Sequence, residues 1–267
     1  MRRNYVRLMA HWGALGKNMK KIEDIESLKE QISINENEIK KNNIKIGLHT
    51  LKITFNNRSI AMISGLNLVI GNILEKDSKT TNKLKKQLTD SLNEAYNLNT
   101  NEINLEQFYS SLFLYNLVQN TETILVDFLK IILINYPGKI GDYAISIKDL
   151  VNHSKEEVIE NVINEYLNKL MYESPKEYFN KIFDIFSINS IDNETIQKFI
   201  EIKPRRDIGI HNNWLTNSVY LKKTDSLFFK KENVLAIPDE KYLEYAYGIM
   251  NTLISYIHDE LIKKFCT

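Results

Sequence analysis

Proline and glycine are scarce in this chain, 4 and 9 among 267 residues. So few breakers, set among apolar residues that recur three and four apart, predict a mainly α-helical fold. Ile22, Ile25, Leu28, Ile32 and Ile39, spaced by Glu and Lys, read as an amphipathic surface or coiled-coil-like helix over 22–46. Residues 44–55 alternate in part and leave two readings open, a short β-hairpin or a helix. The polar run Asn97-Leu98-Asn99-Thr100-Asn101 is a linker candidate, which divides the chain into an N-terminal helical region of unknown role (1–100) and a second domain (101–267).

Beyond that linker, Leu105 to Asn135 reads as one long apolar helix stopped by Tyr136-Pro137-Gly138, the strongest turn signal in the sequence. Ser154 and Glu157 form a predicted capping box for a helix to Tyr172, and Ser174-Pro175 opens the next. Asp192 or Asn193 caps a helix carrying Ile196, Phe199 and Ile200. Pro204 is then read as opening a new helix, which would put Arg205, Arg206 and Asp207 in a first turn whose free N–H groups favour a phosphate. Residues 224–237 are expected to form a loop or short hairpin, and Pro238-Asp239 to lead into a final helix through Tyr242, Tyr245, Ile249, Leu253, Ile257 and Leu261.

The formal charge is +1, from 35 Lys and Arg against 34 Asp and Glu. That balance excludes a globally basic nucleic-acid coat, so any RNA or DNA binding rests on a local patch. Lys203, Arg205, Arg206, Lys222, Lys223, Lys230 and Lys231 supply one. A single cysteine, Cys266, makes no internal disulfide, and no Cys/His spacing suggests zinc, so a reducing cytoplasm and no metal or cofactor are expected. The start Met1-Arg2-Arg3 is basic but is not followed by a secretion signal, and the apolar window 58–74, broken by Asn67 and Asn72, falls short of a membrane span.

Chemistry concentrates in Glu201-Ile202-Lys203-Pro204-Arg205-Arg206-Asp207-Ile208-Gly209-Ile210-His211-Asn212-Asn213. This stretch offers a fixed cation, a carboxylate and an imidazole, the side chain that ordinarily titrates nearest neutrality. The spacing alone is weak evidence, since an arginine and a histidine at one specified separation occur by chance about 0.1 times in a chain of this composition. At about 100° per residue, Arg206 and His211 lie about 140° apart on a helix while Asp207 and His211 share a face.

Arg205 to Asn213, followed by Asn217 and Tyr220-Leu221, resembles the signature of HEPN-domain proteins, an arginine, a polar residue, a short spacer and a His-Asn pair. Residues 121–139 are similar to the long first helix of that fold, and 154–175 to its middle helices, so the resemblance covers roughly 105–265. Two positions depart from it: Trp214 stands where such sequences often carry glycine, and Asn213 where some carry a modifiable tyrosine. The resemblance implies a HEPN-like antiparallel helical bundle acting as a metal-independent endoribonuclease, a toxin or anti-phage defence effector with a composite site in a homodimer. On that reading His211 is the general acid or base, Arg206 stabilises the phosphorane-like transition state and Asp207 orients them. Asn212, Arg205 and Lys203 hold the substrate RNA, and Glu122 and Asp127 are candidates to line the site. Expected partners are RNA, a second copy and an antitoxin or other defence-system protein, with no membrane. The alternative is a non-catalytic helical module that binds RNA or regulates a partner.

Overall fold

The structure is a computed structural model that describes residues 2–69, 105–173, 175–188, 191–226 and 228–267, with the pairs 82–83, 86–87 and 90–91. Its elements are α1 (Arg2–Val69), α2 (Leu105–Asn135), a 3-10 turn (Pro137–Ile140), α3 (Ile147–Asn152), α4 (Lys155–Met171), α5 (Pro175–Phe186), α6 (Asn193–His211), α7 (Ser218–Lys223) and α8 (Glu240–Phe265). The fold is mainly α, with no strand among the described residues. The linker expected at 97–101 lies outside them.

The region left open between helix and hairpin is helical throughout, because Ile44, Leu48, Leu51 and Phe55 fall at the four-three-four spacing that makes one helix face. Ile44, Leu48 and Phe55 are fully buried in the same core as residues of α2, α4, α5, α6 and α8. From Glu26 to Ile39, by contrast, every described side chain of α1 is exposed. At 1.5 Å per residue α1 runs about 100 Å, and among its described side chains the buried ones, Ile44, Leu48, Phe55 and Ser59, lie in its second half.

Helix α2 is the hub. Asn120 reaches the Phe55 carbonyl and Ser59 of α1, and the Ile131 side chain meets Gly47 of α1. Tyr115 and Glu122 reach the α6 end of the molecule, where Tyr115 stacks on Trp214 and Glu122 pairs with Arg206. On a helix Asn120 and Glu122 are 200° apart, while Asn120 and Ile131, or Tyr115 and Glu122, agree within 20°. The period therefore sends α1 and α6 to opposite sides of α2. Helix α8, buried along Ala246, Met250, Leu253, Ile254, Ile257 and Leu261, packs against all three.

The caps follow the sequence. Ser154 accepts from the Glu157 N–H while the Glu157 carboxylate accepts from the Ser154 N–H, completing the box and holding the Glu157 pKa below its usual range. The Asp192 side chain accepts from Thr195 N–H at 2.8 Å and starts α6. Pro204 does not start a helix: α6 continues through it to His211. Its ring removes one backbone bond, but Phe199, Ile200 and Ile202 before it and Ile208 after it are all buried, and that packing carries the helix across.

Candidate functional site

With α6 unbroken, Arg205, Arg206 and Asp207 sit in its interior, so the expected phosphate cradle of free N–H groups does not form. What α6 delivers is a choice of faces. Asp207 and His211, one turn apart, line an open cleft of about 270 Å³ together with Pro204, Asn212, Asn217, Tyr220 and Lys223. His211 is exposed at the last position of the helix, and among the described residues nothing pairs with it. Lys223, at the end of α7, brings a cation to the same cleft.

Arg206 points elsewhere, as the 140° offset requires. Its Nη2 donates to Glu122 at 3.1 Å, and its Nε lies 3.2 Å from Asp207 Oδ1 without hydrogen-bond geometry. Lys203 pairs with the other oxygen of Glu122. Two cations thus converge on one carboxylate from α2, beneath the phenol of buried Tyr178, whose pKa burial and the nearby Glu122 both push up. Glu122, a candidate to line the site, is not among the residues that line the cleft; it holds Lys203 and Arg206. Asp127 does not line it either: it lies 140° round α2, on the α1 side with Arg58 and Lys130, and burial raises its pKa.

Arg205 corrects the expectation more sharply. Expected to position phosphate, it is 7% exposed and turned into the core. Its Nε donates to the Ala236 carbonyl at 2.9 Å, and its guanidinium lies 3.7 Å from the Tyr242 ring centroid and 5.1 Å from that of Phe229. Its counter-charge is Glu201, 0% exposed, whose carboxylate accepts 2.6 Å hydrogen bonds from Tyr220 and Tyr242 and lies 3.7 Å from Arg205 Nη1. Burial raises the Glu201 pKa against the pull of Arg205 and the two phenols, and raises those of both tyrosines. This network ties α6 to α7 and α8 and so fixes the wall of the cleft. Sequence reasoning did not find Glu201, Tyr220 and Tyr242 as a unit; the available signal was the Glu201–Arg205 spacing of four on a helix.

The turn after His211 is equally determined. Asn212 Nδ2 donates to the Leu215 carbonyl at 2.6 Å, so the amide expected to grip substrate holds the turn. Asn213 and Trp214 both take the left-handed conformation, with φ of 48° and 62°. The backbone at Trp214 is thus one that favours glycine, and Trp214 occupies it by burying its indole against Tyr115, rings 5.5 Å apart and 6° from parallel. Of the two readings for 224–237, a loop or a short hairpin, the described residues form the loop, and a single antiparallel bridge, Leu215 to Leu235, closes it back on this turn.

The basic patch therefore divides. Arg205 is buried, Lys203 and Arg206 share Glu122 as a partner, and Lys222, Lys223, Lys230 and Lys231 remain exposed. No group of three or more His, Cys, Asp or Glu positioned to hold a metal occurs among the described residues, and none of their helices is long and apolar enough to cross a membrane. Compared with protein families, with curated proteins and with solved structures, the chain has no match in any of the three.

Proposed function

We propose that the protein is a metal-independent endoribonuclease of HEPN type, serving as a toxin or defence effector, with His211 as its proton-transfer residue. The observation that carries this reading is the exposed, uncommitted imidazole of His211 in a cleft with Asp207 one turn behind it and Lys223 alongside. Exposed Ile210 and Val219 beside the cleft suit a two-fold contact that brings two such sites together. In such a composite site His211 of one copy accepts the proton of an RNA 2′-hydroxyl, and the oxygen attacks the adjacent phosphorus. The bond to the 5′ oxygen breaks, and a second histidine returns a proton to it, leaving a 2′,3′-cyclic phosphate and a 5′-hydroxyl. In this composite site Arg206 of the second copy meets the developing charge, and the exposed lysines 222, 223, 230 and 231 take the flanking phosphates.

The clamp on Arg206 favours a second reading, a helical module that binds RNA or a partner without cutting, in which Glu122 and Asp207 simply satisfy the arginine. The two separate cleanly. Incubating wild type and His211→Ala with total RNA and labelled tRNA in EDTA is expected to give fragments with cyclic phosphate ends from wild type alone. Retained, salt-dependent RNA binding by both proteins with cleavage by neither would establish the binding module instead.

A further inference from the structure

The face of α1 turned away from the core carries a feature the nuclease reading does not use. Ile32, Ile39, Ile46, Ile53 and Ile60 recur at intervals of seven and are 56%, 61%, 66%, 58% and 56% exposed. Among the described residues of α1, Ile34 alone of the large exposed apolar side chains stands off this row. Taking Ile46 as zero, the row stays within about 40° of one line, while buried Ile44, Leu48 and Phe55 lie at about 160°, 200° and 180°. The isoleucines thus form a ridge on the face directly opposite the core, spanning about 42 Å at 1.5 Å per residue.

A strict seven-residue repeat is not what a lone surface helix needs. On a straight helix it drifts about 20° per heptad, and only a left-handed supercoil with another helix cancels the drift. The ridge is also one residue wide, flanked by Asn42, His49 and Asn56 on one side and Glu36, Asn43, Thr50 and Asn57 on the other. A helix lying on lipid instead presents a broad apolar face opposite a strongly charged one.

We propose that this ridge is a self-association surface, on which α1 of a second copy lies parallel and in register. With the isoleucines at heptad position a, the parallel register stacks each against its own copy, and β-branched residues at a favour two strands. It sets Asn42 and Asn56 against themselves, where paired amides hydrogen-bond. An antiparallel copy would face isoleucine with asparagine and histidine. The flanking pairs of the parallel register are Gln31 with Glu36, Glu38 with Asn43, Lys45 with Thr50 and Lys52 with Asn57, so no like charges oppose. Since α1 and α6 lie on opposite sides of α2, this contact is separate from one at the cleft, and it stands whether or not the cleft cuts RNA.

The test is the particle mass of the full chain by sedimentation over a concentration series to about 100 μM, where mass action exposes even weak pairing. Wild type is expected at a multiple of 31.3 kDa, and Ile39→Lys/Ile46→Lys at half that multiple, with helical circular dichroism unchanged and self-association weakened about 100-fold or more. In a Cys266→Ser background, Ile32→Cys is expected to cross-link to itself on oxidation. A monomeric wild type, a double-lysine variant of undiminished mass, or an Ile32→Cys chain that couples only to an Ile60→Cys chain would each overturn the proposal.

Discussion

At the residue scale the site turns on how Gly209 and Trp214 share one space. A Cβ at Gly209 would stand 2.5 Å from Trp214 Cζ2 and 2.7 Å from two further indole atoms, and that ring, 3% exposed and stacked on Tyr115, has no room to yield. Gly209→Ala is therefore expected to cost about 1–3 kcal/mol by overpacking, read as a lower urea midpoint. In a Trp214→Gly background, itself destabilised by the lost indole, the same change is expected to be neutral or stabilising by up to about 1 kcal/mol, because only helix propensity then remains. Equal costs in both backgrounds would mean the close approach is not what requires glycine. The legibility of the motif follows the same division. That Asp207 shares a face with His211 and Arg206 does not could be read from helical period alone. That Arg205 is core and Asn212 a turn clamp could not, because their partners, Tyr242, Ala236 and Leu215, are set by how the following loop folds back.

At the scale of elements, the contact of α1 with α8 has a pH dependence built into it. His258, 4% exposed, places Nδ1 2.6 Å from Asp259 and Nε2 3.0 Å from His49 Nδ1, with Lys52 Nζ 3.3 Å from the same Asp259 oxygen. An ionised Asp259 can only accept, so His258 carries its proton on Nδ1 and accepts at Nε2 from the Nδ1–H of His49. Protonating His258 turns that acceptor into a second donor, so the bond as it stands is lost unless His49 shifts its own proton to Nε2. Burial lowers the His258 pKa from its ordinary 6.5, the hydrogen bond to Asp259 opposes this, and Lys52 and His49 add to the lowering. Because the unfolded chain then binds the proton more readily than the folded one, the contribution is complete above 6.5 and is lost as pH falls through the lower folded value. The melting temperature of wild type is expected to drop between pH 7 and pH 5 by more than that of His258→Gln; parallel profiles would remove His258 as the cause. Neither histidine announced itself in the sequence, where they stand 209 residues apart. The elements themselves were legible wherever a local rule decides them, as in the Ser154–Glu157 box and the Asp192 cap. They were misread at Pro204, where burial of the residues around it outweighs the local preference of proline for a first turn.

For the whole molecule, the decisive fact is that a segment before residue 70 supplies part of the core. Composition pointed to a chain divided near residue 100, since nothing local tells that Ile44, Leu48 and Phe55 meet residues of α2 and α8 far along the sequence. If α1 and the later helices form one cooperative unit, damage to α1 must be felt at the far side of α2. Phe55→Ala removes a fully buried ring and is expected to cost about 3–5 kcal/mol. In a Trp12→Phe background, Trp214 is the sole fluorescent indole, and it reports from the α6 side, stacked on Tyr115. Denaturant curves followed by helical circular dichroism and by Trp214 fluorescence are expected to coincide before the substitution and to shift together after it, as one two-state transition. A loss confined to the circular dichroism curve, with the Trp214 transition unmoved, would instead make the N-terminal helix a separately folding attachment. Coincident shifts would mean that whatever binds the isoleucine ridge of α1 is coupled through this core to the order of the cleft at His211.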